Sequence, residues 1–315
     1  MINPLIFGIA STELSKDEIN FFVDNPCFGF ILFARNITSK NQLILLTTSL
    51  KNLYPNREVP ILVDQEGGRV ARIKPSIGKK LYPAASYFST LYDNNKSLAK
   101  SELHANYAEL MFELKSLGID SPCAPVCDLF FDDASNIIGD RSFGSTSEKV
   151  IDLCKSAIDG ILESNGLPFI KHIPGHGRAK LDSHSELPVI DTKLDELINT
   201  DFMIFRELSS SFEGTIFAMT AHVIYSCLDT KRPVTISKKS IEYIRNDIGF
   251  KGTLVSDDIC MHALHVEITH KESLNKYFLE NLAKVTKMSL DAGCDIVLHC
   301  SGNINEMRAV ATALD

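Results

Sequence analysis

Long apolar runs and concentrated positive charge are both missing from this chain. No stretch of its 315 residues stays apolar for the ~20 residues that a bilayer-spanning helix needs. The opening segment, Met1 to Ala10, has no basic residue ahead of its short apolar run, so it reads as a first strand rather than a secretory leader. Neighbouring basic residues go no further than pairs such as Lys79-Lys80 and Lys238-Lys239, and the formal charge is −8. Nucleic acid is therefore not an expected partner, nor is a membrane. The eight cysteines are scattered, mostly among apolar neighbours, with no Cys-x-x-Cys. They read as reduced core thiols of a cytoplasmic protein, and Cys123-x3-Cys127 lacks the second ligand pair of a zinc site. No Gly-x-Gly-x-x-Gly follows a strand, which argues against an open dinucleotide-binding sheet.

What is present is alternation. Short apolar, β-branched runs take turns with amphipathic segments along the whole chain. Strands are expected at Leu5–Ala10, Gly29–Phe33, Pro60–Asp64, Asp120–Asp128, Leu167–His172, Gly214–His222, Gly252–Asp258 and Cys294–His299. Helices are expected between them, the first opened by a capping box of Ser15 and Glu18 and another capped by Ser237. Eight strand–helix repeats with near-continuous apolar strands imply parallel strands covered by helices, closing into a (β/α)8 TIM-type barrel. A doubly wound sheet is the alternative. No linker or composition shift interrupts the pattern, so residues 1–315 read as a single catalytic domain, expected to be monomeric. The segment after the eighth strand, Ser301–Asp315, is short for a complete last helix.

Polar residues collect at the strand ends: Asp64, Asp128, Lys171-His172, His222, Asp257-Asp258 and His299. In a barrel these ends share one rim, where active sites lie. The richest loop runs from Lys171 to Pro188 and holds His172, His176 and His184. Three chemistries could use this set. A metal hydrolase would take His172, His176, Asp182 and His184, but no His-x-His on an early strand and no helical His-Glu-x-x-His supports it. Lys171 could form a Schiff base, but its polar neighbours do not suggest the desolvation that lowers a lysine pKa. Glycosyl transfer needs an anionic nucleophile, a proton donor and groups that bind hydroxyls. Asp257 or Asp258, His184, and the set Asp64, Arg72, Arg141, Lys171 and His172 fill those roles.

The motifs then resemble a known family. Lys171-His172-x-Pro174-Gly175-His176-Gly177 with Asp182-Ser183-His184 and Leu187-Pro188 is similar to the signature of glycoside hydrolase family 3 β-N-acetylglucosaminidases. So are Asp64-Gln65-Glu66-Gly67-Gly68-Arg69-Val70 with Arg72, Gly139-Asp140-Arg141-Ser142-Phe143, Met219-Thr220-Ala221-His222 and Ser256-Asp257-Asp258, in the family's order. The resemblance runs from about the first strand to the eighth. It implies a cytoplasmic exo-enzyme acting on GlcNAc-1,6-anhydro-MurNAc and its peptides in peptidoglycan recycling, with retention, no cofactor and no catalytic metal. By the same resemblance Asp257 is the nucleophile, His184 the proton donor and acceptor, and Asp182 its partner. Asp64, Arg72, Arg141, Lys171 and His172 hold the terminal sugar, and His176 is left a structural role. Hydrolysis and phosphorolysis stay open, because a neutral histidine repels incoming phosphate less than a carboxylate would.

Overall fold

The computed structural model describes residues 2–183, 186–265 and 274–314. Seven parallel strands form the central sheet: β1 (Asn3–Gly8), β2 (Cys27–Leu32), β3 (Ile61–Val63), β4 (Phe169–Ile173), β5 (Phe217–Thr220), β6 (Thr253–Asp258) and β7 (Ile296–His299). Their order across the sheet is β3-β2-β1-β7-β6-β5-β4. Helices such as Lys40–Asn52, Lys96–Ser116, Ser147–Glu163 and Leu274–Ala292 connect them. Strands that are covered on both faces can be apolar at nearly every position, and these are.

The two faces separate cleanly. In β1, Leu5 and Phe7 join the larger core beneath the helices, while Ile6 joins a smaller inner cluster. In β6, Leu254 faces the helices and Val255 the inner cluster. Beyond Val255 the register with β7 shifts before Asp258, an irregularity at the strand end that carries Asp257 and Asp258. At the helix termini the expected caps form. Ser15 and Glu18 make both arms of a capping box, and the Ser237 side chain accepts the Ser240 N–H.

The expected closed (β/α)8 barrel is not formed. The sheet has seven strands, and Asp120–Asp128, expected as the fourth of eight, is not one of them. That segment touches the sheet edges through two isolated bridges, Leu62 with Ser121 and Val126 with Lys171. The reason lies in its residues. Pro122 and Pro125 have no N–H to give to a ladder. Cys123 adopts a φ of 47°, in the left-handed region that interrupts a pleat. Individual contacts still tie the segment down: Val63 N–H donates to the Ser121 carbonyl (3.0 Å) and Phe169 N–H to that of Ala124 (2.9 Å). The structure also adds a helix, Ala85–Asn94, in a stretch for which no element was expected, and two helices, Leu194–Ile198 and Asp201–Ser211, follow β4 where one was expected. Among the described residues no helix is long and apolar enough to cross a membrane.

Ser121 is fully buried, and its hydroxyl donates to the Leu167 carbonyl at 2.6 Å, joining the irregular segment to the run into β4. Ser121→Ala is expected to cost about 1–2 kcal/mol. Urea unfolding should show a lower midpoint with an unchanged slope; an unaltered midpoint would mean this tie contributes nothing.

Candidate active site

Directly after β3 the chain makes a small antiparallel ribbon, Gln65–Gly67 with Val70–Ala71. Its turn needs glycine: Gly67 has a φ of 105°, and a Cβ there would sit 2.2 Å from the Pro83 carbonyl oxygen. Gln65 pins the return strand by exchanging two hydrogen bonds with the Ile73 backbone (3.1 and 2.9 Å). This ribbon delivers Asp64, Glu66 and Arg72 to one wall of a cavity of about 590 Å³. Arg141 enters from the short turn Gly139–Arg141, and Lys171 and His172 from β4. Asp182 and Ser183 come from the following loop, and Asp257 and Asp258 from β6. The volume is in the range typical of small-molecule sites.

The charges on this wall are mutually compensating. Arg141 grips Glu66 with two nitrogens, both at 2.8 Å. Lys171 Nζ lies 2.6 Å from Glu66 and 3.1 Å from Asp64, and Arg72 reaches the other Asp64 oxygen at 3.2 Å. Burial pushes the Glu66 carboxyl up, but Arg141 and Lys171 outweigh it and hold the group well below the usual carboxylate range. Burial pushes Lys171 down, and Glu66 and Asp64 more than restore it, so its pKa is raised. An amine held so firmly protonated is no nucleophile, which removes the Schiff-base reading. Arg72 Nε is buried and lacks a hydrogen-bond partner among the described residues, a donor available to a ligand oxygen.

The same cavity carries two adjacent acids whose pKa values are pushed in opposite directions. For Asp257, burial raises the pKa, but His222, His172, the Asp258 N–H and Lys171 together hold it below the ordinary value. Burial also keeps His222 neutral, so near pH 7 the amide and Lys171 carry more of that stabilisation. The Asp258 N–H donates to Asp257 Oδ1 at 2.8 Å. The Asp258 carboxyl is pushed up by burial, against the Cys260 and Cys300 N–H groups that it accepts at 3.1 Å each. Asp257 is therefore the better anion of the two, and it lines the cavity beside Asp258.

Asp128 accepts from His172 Nδ1 (2.7 Å) and from the His176 N–H (2.7 Å). His176 Nε2 in turn meets Ser183 Oγ at 3.0 Å. A metal set drawn from His172, His176 and Asp182 does not converge among the described residues. Its remaining member, His184, which is also the expected proton donor, lies outside them. Asp64, Arg72, Arg141, Lys171, His172, Asp182 and Asp257 all line the one cavity. Two buried acids that bind the wall together, Glu66 and Asp128, had no expected role. Glu66 lies within the Asp64–Val70 motif, and Asp128 was conspicuous as a charge at the end of an expected strand.

A family model described as "Glycosyl hydrolase family 3 N terminal domain" matches residues 8–315. A beta-hexosaminidase of Alkalilimnicola ehrlichii is 34% identical over 304 residues, 96% of this chain and 81% of that protein. Among solved structures, a family 3 β-N-acetylglucosaminidase from Paenibacillus superposes with a TM-score of 0.86 at 27% identity. The match covers 99% of this chain, which spans 56% of the length of that one. NagZ from Neisseria gonorrhoeae, solved with N-trifluoroacetyl-D-glucosamine, gives a TM-score of 0.83 at 32% identity, covering 98% of this chain and 84% of the other.

Glu66→Gln keeps the shape of the side chain and leaves two buried cations without their anion. The expected loss is about 3–5 kcal/mol at neutral pH. Because the folded pKa is depressed, the Glu66 contribution is complete above the unfolded value of about 4.3 and fades as pH falls toward the folded one. Thermal melts should show the gap between wild type and variant widest near pH 7 and narrowing below about pH 4. A gap that grows on acidification would contradict the cluster's charge assignment.

Proposed function

The chain belongs to glycosyl hydrolase family 3, and from that premise we propose that it is a retaining exo-β-N-acetylglucosaminidase of peptidoglycan recycling. Its relatives make it a glycoside hydrolase of the β-N-acetylhexosaminidase kind. The substrate we infer is GlcNAc-1,6-anhydro-MurNAc and its peptides, cleaved in the cytoplasm to release the non-reducing GlcNAc. The observation that carries this reading is an ionised carboxylate, Asp257, sharing a cavity with the ion-paired Asp64–Arg72–Lys171–Glu66–Arg141 wall.

The chemistry follows from those groups. The wall offers fixed donors and acceptors to sugar hydroxyls, and charged groups make the stronger hydrogen bonds. Asp257 attacks the anomeric carbon and forms a covalent glycosyl ester as the bond to the leaving oxygen breaks. His184, oriented by Asp182, gives that oxygen its proton, then takes one from the water that cleaves the ester. A carboxylate beside an imidazole stabilises its charged form and sets its tautomer. The two reacting groups here are a carboxylate and a histidine, where many retaining enzymes use two carboxyl groups. The recorded N-trifluoroacetyl-D-glucosamine complex of the gonococcal relative supports an N-acyl glucosamine in the equivalent position.

Turnover of 4-nitrophenyl β-GlcNAc should exceed that of the β-glucoside by about a hundredfold or more, since a site built around the amide leaves polar groups unpaired without it. Equal rates would sink the N-acetyl assignment. Asp257→Ala is expected to lower kcat by about 10⁴-fold or more. His184→Ala should damage turnover of the disaccharide fragment far more than that of the aryl substrate, whose leaving group needs no proton; equal losses would remove His184 from the acid role. Running the reaction in phosphate and identifying GlcNAc or GlcNAc-1-phosphate decides between hydrolysis and phosphorolysis.

A further inference from the structure

Three side chains of metal-binding type converge just outside the catalytic cavity. His299 is the last residue of β7 and fully buried, Cys260 follows β6, and Glu306 lies in the first turn of the helix Ile304–Ala311. Their ligand atoms lie within 4.8 Å of one another. Glu306 Oε2 is 3.8 Å from Cys260 Sγ and 3.2 Å from His299 Nε2. Zinc held tetrahedrally by S, N and O at about 2.0–2.3 Å would separate its ligands by roughly 3.3–3.6 Å. We propose that Cys260, His299 and Glu306 form a binding site for a borderline-soft divalent cation such as zinc.

The charge and hydrogen-bond chemistry fit that ion. A thiolate and a carboxylate neutralise a dication, and the buried His299 ring supplies a third donor atom. On binding, the Cys260 thiol releases its proton to solvent as the metal–sulfur bond forms, and His299 presents the Nε2 lone pair with its proton on Nδ1. Thiolate sulfur favours zinc and cobalt over magnesium or calcium. Ser301 Oγ lies 3.3 Å from His299 Nε2 and donates to Glu306, so an exposed hydroxyl borders the three ligand atoms. The Cys260 N–H is already held by Asp258 Oδ1 at 3.1 Å. The ion would therefore clip the segment after β6 to the end of β7. This site does not depend on the glycosidase reading.

Cobalt(II) titration of the full chain under reducing conditions tests it. Wild type should develop a near-ultraviolet thiolate-to-cobalt charge-transfer band that saturates at one equivalent and is abolished by zinc. Cys260→Ala should lose the band, while Cys227→Ser, at an exposed cysteine, and Asp182→Ala should keep it. Glu306→Gln should keep the band but weaken binding by about tenfold or more. Melting in the presence of chelator confirms that the variants are folded. No sulfur band in wild type, a full band in Cys260→Ala, unaltered affinity in Glu306→Gln, or loss of the signal with Asp182→Ala would each overturn the proposal.

Discussion

Two cations converge on one buried carboxylate: Arg141 and Lys171 both close on Glu66. Burying three charges carries a desolvation cost of several kcal/mol per ion, repaid only when geometry and hydrogen bonding are both good. Arg141 meets that demand with a two-nitrogen grip, and Lys171 shares itself between Glu66 and Asp64. The cluster joins the ribbon after β3, the turn at Gly139–Arg141 and the end of β4. It holds the wall of the cavity in place before any ligand enters, so a ligand there meets groups that need little reordering.

The same electrostatics separates neighbouring acids. Asp257 accepts the Asp258 N–H, feels Lys171 and is held below the ordinary carboxylate value, whereas burial raises Asp258, which accepts two backbone N–H groups. Two acids adjacent in sequence are thus held in opposite electrostatic settings. Asp128 performs a comparable service beneath the wall. It fixes His172 through the ring and His176 through the backbone, and His176 then reaches Ser183 in the loop that bears Asp182. The expected structural role of His176 acquires a physical form in this chain of contacts.

Much of the site was legible because charge at the end of an apolar strand is costly and therefore conspicuous. Asp64, Lys171, His172 and Asp257 stood out in that way, and all face the cavity. Arg72 and Arg141 were legible through their motifs. Glu66 and Asp128 were visible as residues but not as roles, since a pairing over 75 or 44 positions leaves no local trace. The convergence of Cys260, His299 and Glu306 was equally unreadable: their spacings match no metal motif, and only the approach of β6, β7 and the following helix brings them together.

Strand–helix alternation, the capping box at Ser15 and the family motifs are local patterns, and the sequence by itself determined a parallel α/β fold and a glycosidase-type residue set. Closure of the sheet was not a local property. Eight apolar runs suggested eight strands, but Pro122, Pro125 and the left-handed Cys123 leave the fourth without a ladder, and seven strands form the sheet. Tertiary structure alone decided which carboxylate is anionic, which cations neutralise it and which acids hold them. Those outcomes depend on burial and on distances between segments far apart in the chain, quantities that no local pattern of residues encodes.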